Sequence, residues 1–256
     1  MTFERISELV AGVPFISAPN ARYLYDLIRR ERPARILELG IAHGTATCYM
    51  AAALEEIGGG TITAVDLTEA ATWFQPTPEE QLAKTGLSRF VNLVRMQTGY
   101  TWFLHDEIRR LTVNDRCATE YDLCIIDGPK NWTIDGCAFF LVEKILKPNG
   151  WLIFDDYYWT YGEADAGRSE TDGITHRLLS EAERTTPHVR EIFELLVKQH
   201  PSFGQLSLSV DQGWAIARKT ASDRKTYTIE RRESWRSVLM GMLAGLRRRL
   251  RKLAGG

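Results

Sequence analysis

The stretch Arg35-Ile36-Leu37-Glu38-Leu39-Gly40-Ile41-Ala42-His43-Gly44-Thr45 decides the fold. A short apolar run suited to a buried strand carries an acid near its end. The chain then turns on two glycines four positions apart, and the helix-forming run Ala46 to Glu55 follows at once. Neither Gly40 nor Gly44 has a Cβ, so the backbone can turn tightly and a ligand can come close to it. The new helix presents free N–H groups to that ligand. The spacing is Gly-x-x-x-Gly, unlike the Gly-x-Gly-x-x-Gly that cradles a pyrophosphate. An ordinary strand-to-helix turn would use the same two glycines.

Strands and helices alternate outward from this motif. Asn20 to Arg32 has Tyr23, Leu24, Leu27 and Ile28 on one helical face, and Pro33 closes it. Gly58-Gly59-Gly60 breaks the helix after the motif, and Thr61 to Asp66 is a second strand ending in a carboxylate. Asp66 lies 22 residues beyond Gly44, the interval at which an open α/β fold sets an acid against a ribose diol. Pro78 to Lys84 suits a short helix, Val91 to Met96 a third strand and Trp102 to Leu111 a helix. Tyr121 to Asp127 is a fourth strand, apolar enough for burial on both sides. A helix from Ile134 to Leu146, ended by Pro148-Asn149-Gly150, precedes a fifth strand, Trp151 to Asp156. Residues 160–173 read as a mobile loop, and Glu191 to Lys198 and Gln205 to Arg218 as two later β-like stretches. The alternation implies a mainly parallel sheet with helices on both faces.

Glu38, Asp66, Asp127 and the pair Asp155-Asp156 stand at strand ends, where such sheets bind ligands. Glu38 and Asp66 suit a nucleoside cofactor. Asp127, Asp155 and Asp156 can converge on a hard divalent cation, because an all-oxygen set selects magnesium, calcium or manganese over zinc. A single strand-terminal aspartate also serves as a helix cap or turn residue.

With Glu38, Gly40 and Gly44 in a Glu-x-Gly-x-x-x-Gly motif and this order of elements, residues 20–218 resemble the class I S-adenosylmethionine-dependent methyltransferases. The resemblance implies a Rossmann-like sheet that ends in an antiparallel hairpin. It also implies S-adenosylmethionine contacts at Glu38, Gly40, His43, Gly44, Thr45, Asp66, Asp127 and, near the adenine, Gln97 and Thr98. For His43, a hydrogen-bonded structural role is the alternative.

Within that family the chain resembles the metal-dependent small-molecule O-methyltransferases of the catechol and macrocin-like types. These place one metal ligand at the end of strand four and two consecutive ligands at the end of strand five. Asp127, Asp155 and Asp156 match those positions, though the catechol type has Asp-Asn at the pair. The resemblance puts Lys130, three residues after Asp127, at the position of the catalytic base. A divalent cation and a partly desolvated pocket are both expected to lower its pKa. The implied reaction is methyl transfer to a hydroxylated small molecule with magnesium as the expected cation. A sugar or glycosylated natural product is preferred over a simple catechol, and Trp132, Tyr157, Tyr158, Trp159 and Tyr161 are candidate pocket walls. A metal-independent N- or O-methyltransferase and a non-catalytic S-adenosylmethionine-binding, membrane-associated protein are the alternatives.

The chain of 256 residues, 44% of them hydrophobic, suits one α/β domain over residues 1–219 and an extension over 220–256. The formal charge of -1 hides an asymmetry: residues 230–256 hold eight Lys/Arg against two Asp/Glu, leaving the body mildly acidic. That argues against nucleic-acid binding by the body. Trp235, Val238, Leu239, Met242, Leu243, Leu246, Leu250 and Leu253 recur at helical spacing beside Arg236, Arg247, Arg248, Arg249, Arg251 and Lys252, so a linker and a basic amphipathic C-terminal helix are expected. This basic amphipathic pattern fits a membrane surface, a partner subunit or a segment unfolded in solution. Cys48, Cys117, Cys124 and Cys137 lack metal-ligand spacing and read as reduced thiols. No secretory signal or spanning run is evident, so a cytoplasmic protein is expected.

Overall fold

The chain lays down strands β1 (Arg35–Leu39), β2 (Thr61–Leu67) and β3 (Val91–Met96), then a small hairpin of β4 (Thr112–Val113) and β5 (Arg116–Cys117). The strands β6 (Tyr121–Ile126), β7 (Leu146–Phe154), β8 (Phe203–Ser209) and β9 (Trp214–Lys219) follow, and helices α1 (Phe3–Leu9) and α4 (Pro78–Thr85) precede β1 and β3. The computed structural model describes residues 1–163, 178–209 and 213–220. Seven strands form one sheet in the order β3-β2-β1-β6-β7-β9-β8. β1, β2, β3, β6 and β7 are parallel, and β9 runs antiparallel to both β7 and β8. The expected parallel sheet with a terminal antiparallel hairpin is therefore present.

Period-two alternation in β1 explains how the sheet is covered. Ile36 faces a buried cluster with Leu24, Leu27 and Ile28 of α2 (Ala18–Glu31) and Met50 and Leu54 of α3 (Thr45–Ile57). Leu37 and Leu39 face the other cluster. There they join Leu104 of α5 (Tyr100–Leu111), Phe139 and Val142 of α6 (Trp132–Ile145) and Ile192 of a later helix (His188–Ile192). Successive strand side chains point to opposite faces, so one five-residue strand supplies both layers of core. Glu38, two residues from Ile36, is thereby aimed at α3.

Two sequence expectations are corrected. Glu191 to Lys198 is not β-like: it lies in His188–Ile192 and the π-turn Phe193–Val197 that continues it. Val189, Ile192, Phe193 and Val197 are all buried, at spacings of three, one and four, and this is a helical stripe rather than an alternation. The fifth parallel strand also starts earlier than Trp151, at Leu146, and Pro148-Asn149-Gly150 belongs to it rather than to a helix end. Tyr121 pairs with Leu146 and Leu123 with Trp151, so these extra residues are absorbed as an irregularity in the pairing. Of the expected loop over 160–173, Thr160 is buried, residues Tyr161–Glu163 form a short 3-10 turn with Tyr161 buried, and residues 164–173 lie outside the described residues. The basic stretch 230–253 also lies outside them. The four cysteines are free. No described helix is long and apolar enough to cross a membrane.

Candidate active site

The sheet's order reverses at β1, whose neighbours are β2 on one side and β6 on the other. The carboxyl ends of strands at such a point leave a crevice. Three backbone hydrogen bonds carry the ladder one residue beyond the strands. Gly40 N–H donates to the Val65 carbonyl (2.9 Å), Asp127 N–H to Leu39 (2.8 Å) and Asp155 N–H to Ile126 (3.2 Å). Gly40, Asp127 and Asp155 thus stand side by side at the sheet's edge.

Gly40 has φ +94°, and a Cβ there would overlap the Asp127 carbonyl, 2.7 Å from its carbon. At Gly44 (φ +74°) a Cβ would come 2.9 Å from that of Pro78. The two glycines are required by protein neighbours as well as by any ligand. Asp66 holds the turn between them: Oδ2 accepts the Ile41 and Ala42 N–H groups (3.0 and 3.2 Å), and Oδ1 accepts that of Leu67 (2.7 Å). Ala42 sits at φ +50°, a strained conformation for a non-glycine residue that these bonds help to hold.

Glu38 is 3% exposed and accepts a hydrogen bond from Thr47 Oγ1 of α3 (2.7 Å). Burial pushes its pKa up to about 8, with Asp127 and Asp66 adding to the rise and Thr47 opposing it. Against an ordinary value of 4.5, the folded state holds one proton more than the unfolded state between those limits. Stability from this group is present below the lower value and is lost as pH rises towards the upper one. Glu38→Gln keeps an acceptor for Thr47 and removes the ionisation. Urea unfolding of the ligand-free protein should show the variant gaining on wild type from pH 5.5 to 8, by up to about 1.4 kcal/mol per pH unit. Parallel pH profiles would mean that Glu38 is not held neutral.

His43 and Thr45 turn towards the protein. His43 Nδ1 bonds the Pro76 carbonyl (2.9 Å), and its ring stacks on Phe15 at 5.4 Å between centroids. Thr45 Oγ1 donates to the Pro14 carbonyl (3.1 Å). Both pin neighbouring loops over the glycine turn. Gln97 and Thr98 are exposed at the end of β3.

Asp127, Asp155 and Asp156 each offer a carboxylate oxygen, and the three atoms lie within 4.8 Å of one another. Lys130 reaches into this group, paired with Asp127 Oδ1 and 3.5 Å from Asp156 Oδ2. Lys130 and Asp156 both have positive φ, +60° and +57°, so two of the converging side chains come from strained positions. Burial raises the pKa of Asp127 and pushes that of Asp155 up to about 8, where crowding by Asp127 adds to it. The expectation of a lowered Lys130 pKa is reversed in this metal-free arrangement. Burial does pull it down, but Asp127, Asp156 and Asp155 outweigh burial and hold the ammonium charged.

The Lys130 loop rests on a buried network that the sequence did not disclose. Tyr100 donates its hydroxyl to Asp135 Oδ1, and Asp135 Oδ2 accepts the Asn131 N–H (2.6 Å). Asn131 Oδ1 caps α6 by accepting from Thr133 and Ile134 (2.8 and 3.2 Å). Of the aromatic residues expected to wall a pocket, Tyr157 and Tyr161 are buried, bonded to Glu194 (3.0 Å) and the Pro129 carbonyl (2.9 Å). Trp132 and Tyr158 are 42% and 47% exposed, adjacent in sequence to the Lys130 loop and to Asp156.

Residues 37–157 match the profile of a family described as a methyltransferase domain. Among solved structures, an O-methyltransferase of Bacillus cereus in complex with S-adenosylhomocysteine aligns with TM-score 0.58 at 16% identity, over 86% of this chain and 92% of that one. The O-methyltransferase TomG of Streptomyces achromogenes, involved in tomaymycin synthesis and solved with S-adenosylmethionine, aligns with TM-score 0.56 at 18% identity, over 85% and 89%. A methyltransferase of Podospora anserina bound to S-adenosylhomocysteine gives TM-score 0.57 at 17% identity, over 85% and 87%. No curated protein matches the chain. Residues 37–157 are thus similar to a methyltransferase domain, and the fold is that of these class I methyltransferase structures.

Proposed function

We propose that the protein is a divalent-metal-dependent O-methyltransferase acting on a hydroxyl of a small molecule, with a sugar or glycosylated natural product as the preferred acceptor class. The observation that carries this reading is the convergence of Asp127, Asp155 and Asp156 beside Lys130. Three carboxylates against one ammonium leave two negative charges uncompensated if all are ionised, and an oxygen-only donor set of that charge suits a hard dication such as magnesium. Asp127, Asp155 and Asp156 would hold it, and when bound it supplies Lewis acidity that makes the acceptor hydroxyl easier to deprotonate. Glu38, Asp66 and the glycine turn would hold S-adenosylmethionine, which supplies the methyl group. With the aspartates committed to a dication, Lys130 would lose the charges that hold its ammonium and could act as a neutral amine: Nζ would take the hydroxyl proton, the hydroxyl oxygen would bond to the methyl carbon, and the carbon–sulfur bond would break to leave S-adenosylhomocysteine. The exposed rings of Trp132 and Tyr158 offer flat faces to a sugar or an aromatic ring. The Asp-Asp pair, where the catechol type has Asp-Asn, supports the sugar preference.

EDTA should abolish methyl transfer to a panel of hydroxylated acceptors, and magnesium should restore it, while calorimetry still detects S-adenosylhomocysteine binding to the chelated protein. Full turnover in excess chelator would favour a second reading, in which the Lys130 ammonium is the permanent counter-ion of the aspartates and no metal is needed. Its place between Asp127 and Asp156 favours that alternative.

We further propose that residues 220–256 are an extension whose basic, apolar pattern contacts an anionic membrane surface or a second copy of the chain. The full-length protein should sediment with anionic liposomes at low salt and be released as salt rises. A chain ending at Thr220 should stay in the supernatant. Equal partitioning of the two forms would remove the membrane role, and loss of a dimer on truncation would assign the tail to self-association.

A further inference from the structure

Asp155 is the most constrained of the three aspartates, and the constraint comes from a residue far away in the chain. Its Oδ1 accepts two N–H groups, the Asp156 amide at 2.8 Å and the Trp214 indole Nε1 at 2.6 Å. Trp214 opens β9, and the next residue, Ala215, pairs with Phe154 at the end of β7. The antiparallel partner of the metal-site strand therefore delivers the indole to the level of Asp155. The ring is 4% exposed, and Tyr23 of α2 packs edge-on against it at 5.7 Å between centroids. Two donors on one oxygen leave the other oxygen as the atom available to a cation.

We propose that Trp214 is a positioning residue for the cation site: its indole N–H commits Asp155 Oδ1 and so presents Oδ2 to the bound ion. The inference rests on the metal-dependent reading above. A carboxylate free to rotate offers a cation two oxygens and several rotamers, and ordering them on binding costs affinity. A carboxylate already clamped by an indole and a main-chain N–H has met that cost in folding. Outer hydrogen bonds of this kind carry about 10–100-fold in metal affinity. A purely structural tryptophan also needs a partner for its buried N–H. Metal affinity, which such a role would not move, separates the two.

The test is manganese binding to the full chain with saturating S-adenosylhomocysteine, read from the electron paramagnetic resonance signal of free Mn2+. Trp214→Phe keeps a ring in place and removes the donor. It should weaken Mn2+ binding about 10–100-fold, with S-adenosylhomocysteine affinity and circular dichroism unchanged. Trp214→His, which keeps a ring N–H, should recover part of the loss. Mn2+ affinity in Trp214→Phe within threefold of wild type would overturn the positioning role and leave the metal reading standing. Wild type that binds no Mn2+ would overturn the metal reading and this inference with it. If the variants fail to fold, wild type labelled with 15N-tryptophan supplies the answer. The Trp214 indole resonance, assigned through its contact with the Tyr23 ring, should move on magnesium addition with the midpoint of metal binding, and a signal that does not move would overturn the proposal.

Discussion

Lys130→Met is expected to cut methyl transfer about 100- to 10,000-fold, the scale of a lost general base, with S-adenosylhomocysteine affinity within about threefold of wild type. Lys130 Nζ is the only side-chain nitrogen of a lysine or arginine with ion pairs to the clustered aspartates among the described residues. Methionine replaces the unbranched stem, ends one atom short of the ammonium nitrogen and cannot accept the proton. The same substitution should destabilise the metal-free protein, because Asp127 and Asp155 lose the charge that opposes their burial. The loss should fall below the roughly 3–5 kcal/mol of a fully buried broken pair, since the Asp156 side chain is 43% exposed. Magnesium should restore most of that stability and none of the turnover. A thermal melt with and without magnesium, set beside steady-state rates, reads both effects. Turnover within threefold of wild type would make Lys130 a counter-ion only.

What the sequence disclosed and what it withheld divide by chain distance. The motif from Arg35 to Thr45 is legible because its strand, turn and helix are contiguous and each follows local rules of apolar run, glycine and helix former. Asp127, Asp155 and Asp156 are legible because parallel strands must end on one side of the sheet, so acids at strand ends converge whatever the loops do. The long-range partners that brace the site are not. Tyr100 and Asp135 are 35 residues apart, His43 and Pro76 33, and Asp155 and Trp214 59. Nothing local marks those pairs, since each depends on which helix or strand packs where. The Glu191 to Lys198 error has another cause. Its aliphatic and aromatic residues suit strand or helix alike, and the buried stripe shows only when Val189 is counted with them.

Gly40→Ala is expected to cost roughly 2–5 kcal/mol of folding stability, overpacking added to a strained dihedral. Gly58→Ala should cost only about 1 kcal/mol. Both glycines have positive φ, +94° and +84°, so backbone strain alone would make them similar. They differ in what a Cβ would meet: nothing lies within 4 Å at Gly58, whereas at Gly40 the methyl group would overlap the Asp127 carbonyl. Asp127 cannot retreat freely, because its own N–H is bonded to Leu39 at 2.8 Å. Urea unfolding of the two variants separates the terms, and equal losses would mean that Gly40 is set by its dihedral and not by Asp127. The expected inequality also changes how loss of cofactor binding in a Gly40 variant is read. A substitution there displaces the strand end that carries Asp127, so cofactor and cation affinities should fall together, and the loss cannot be assigned to contact with the cofactor alone.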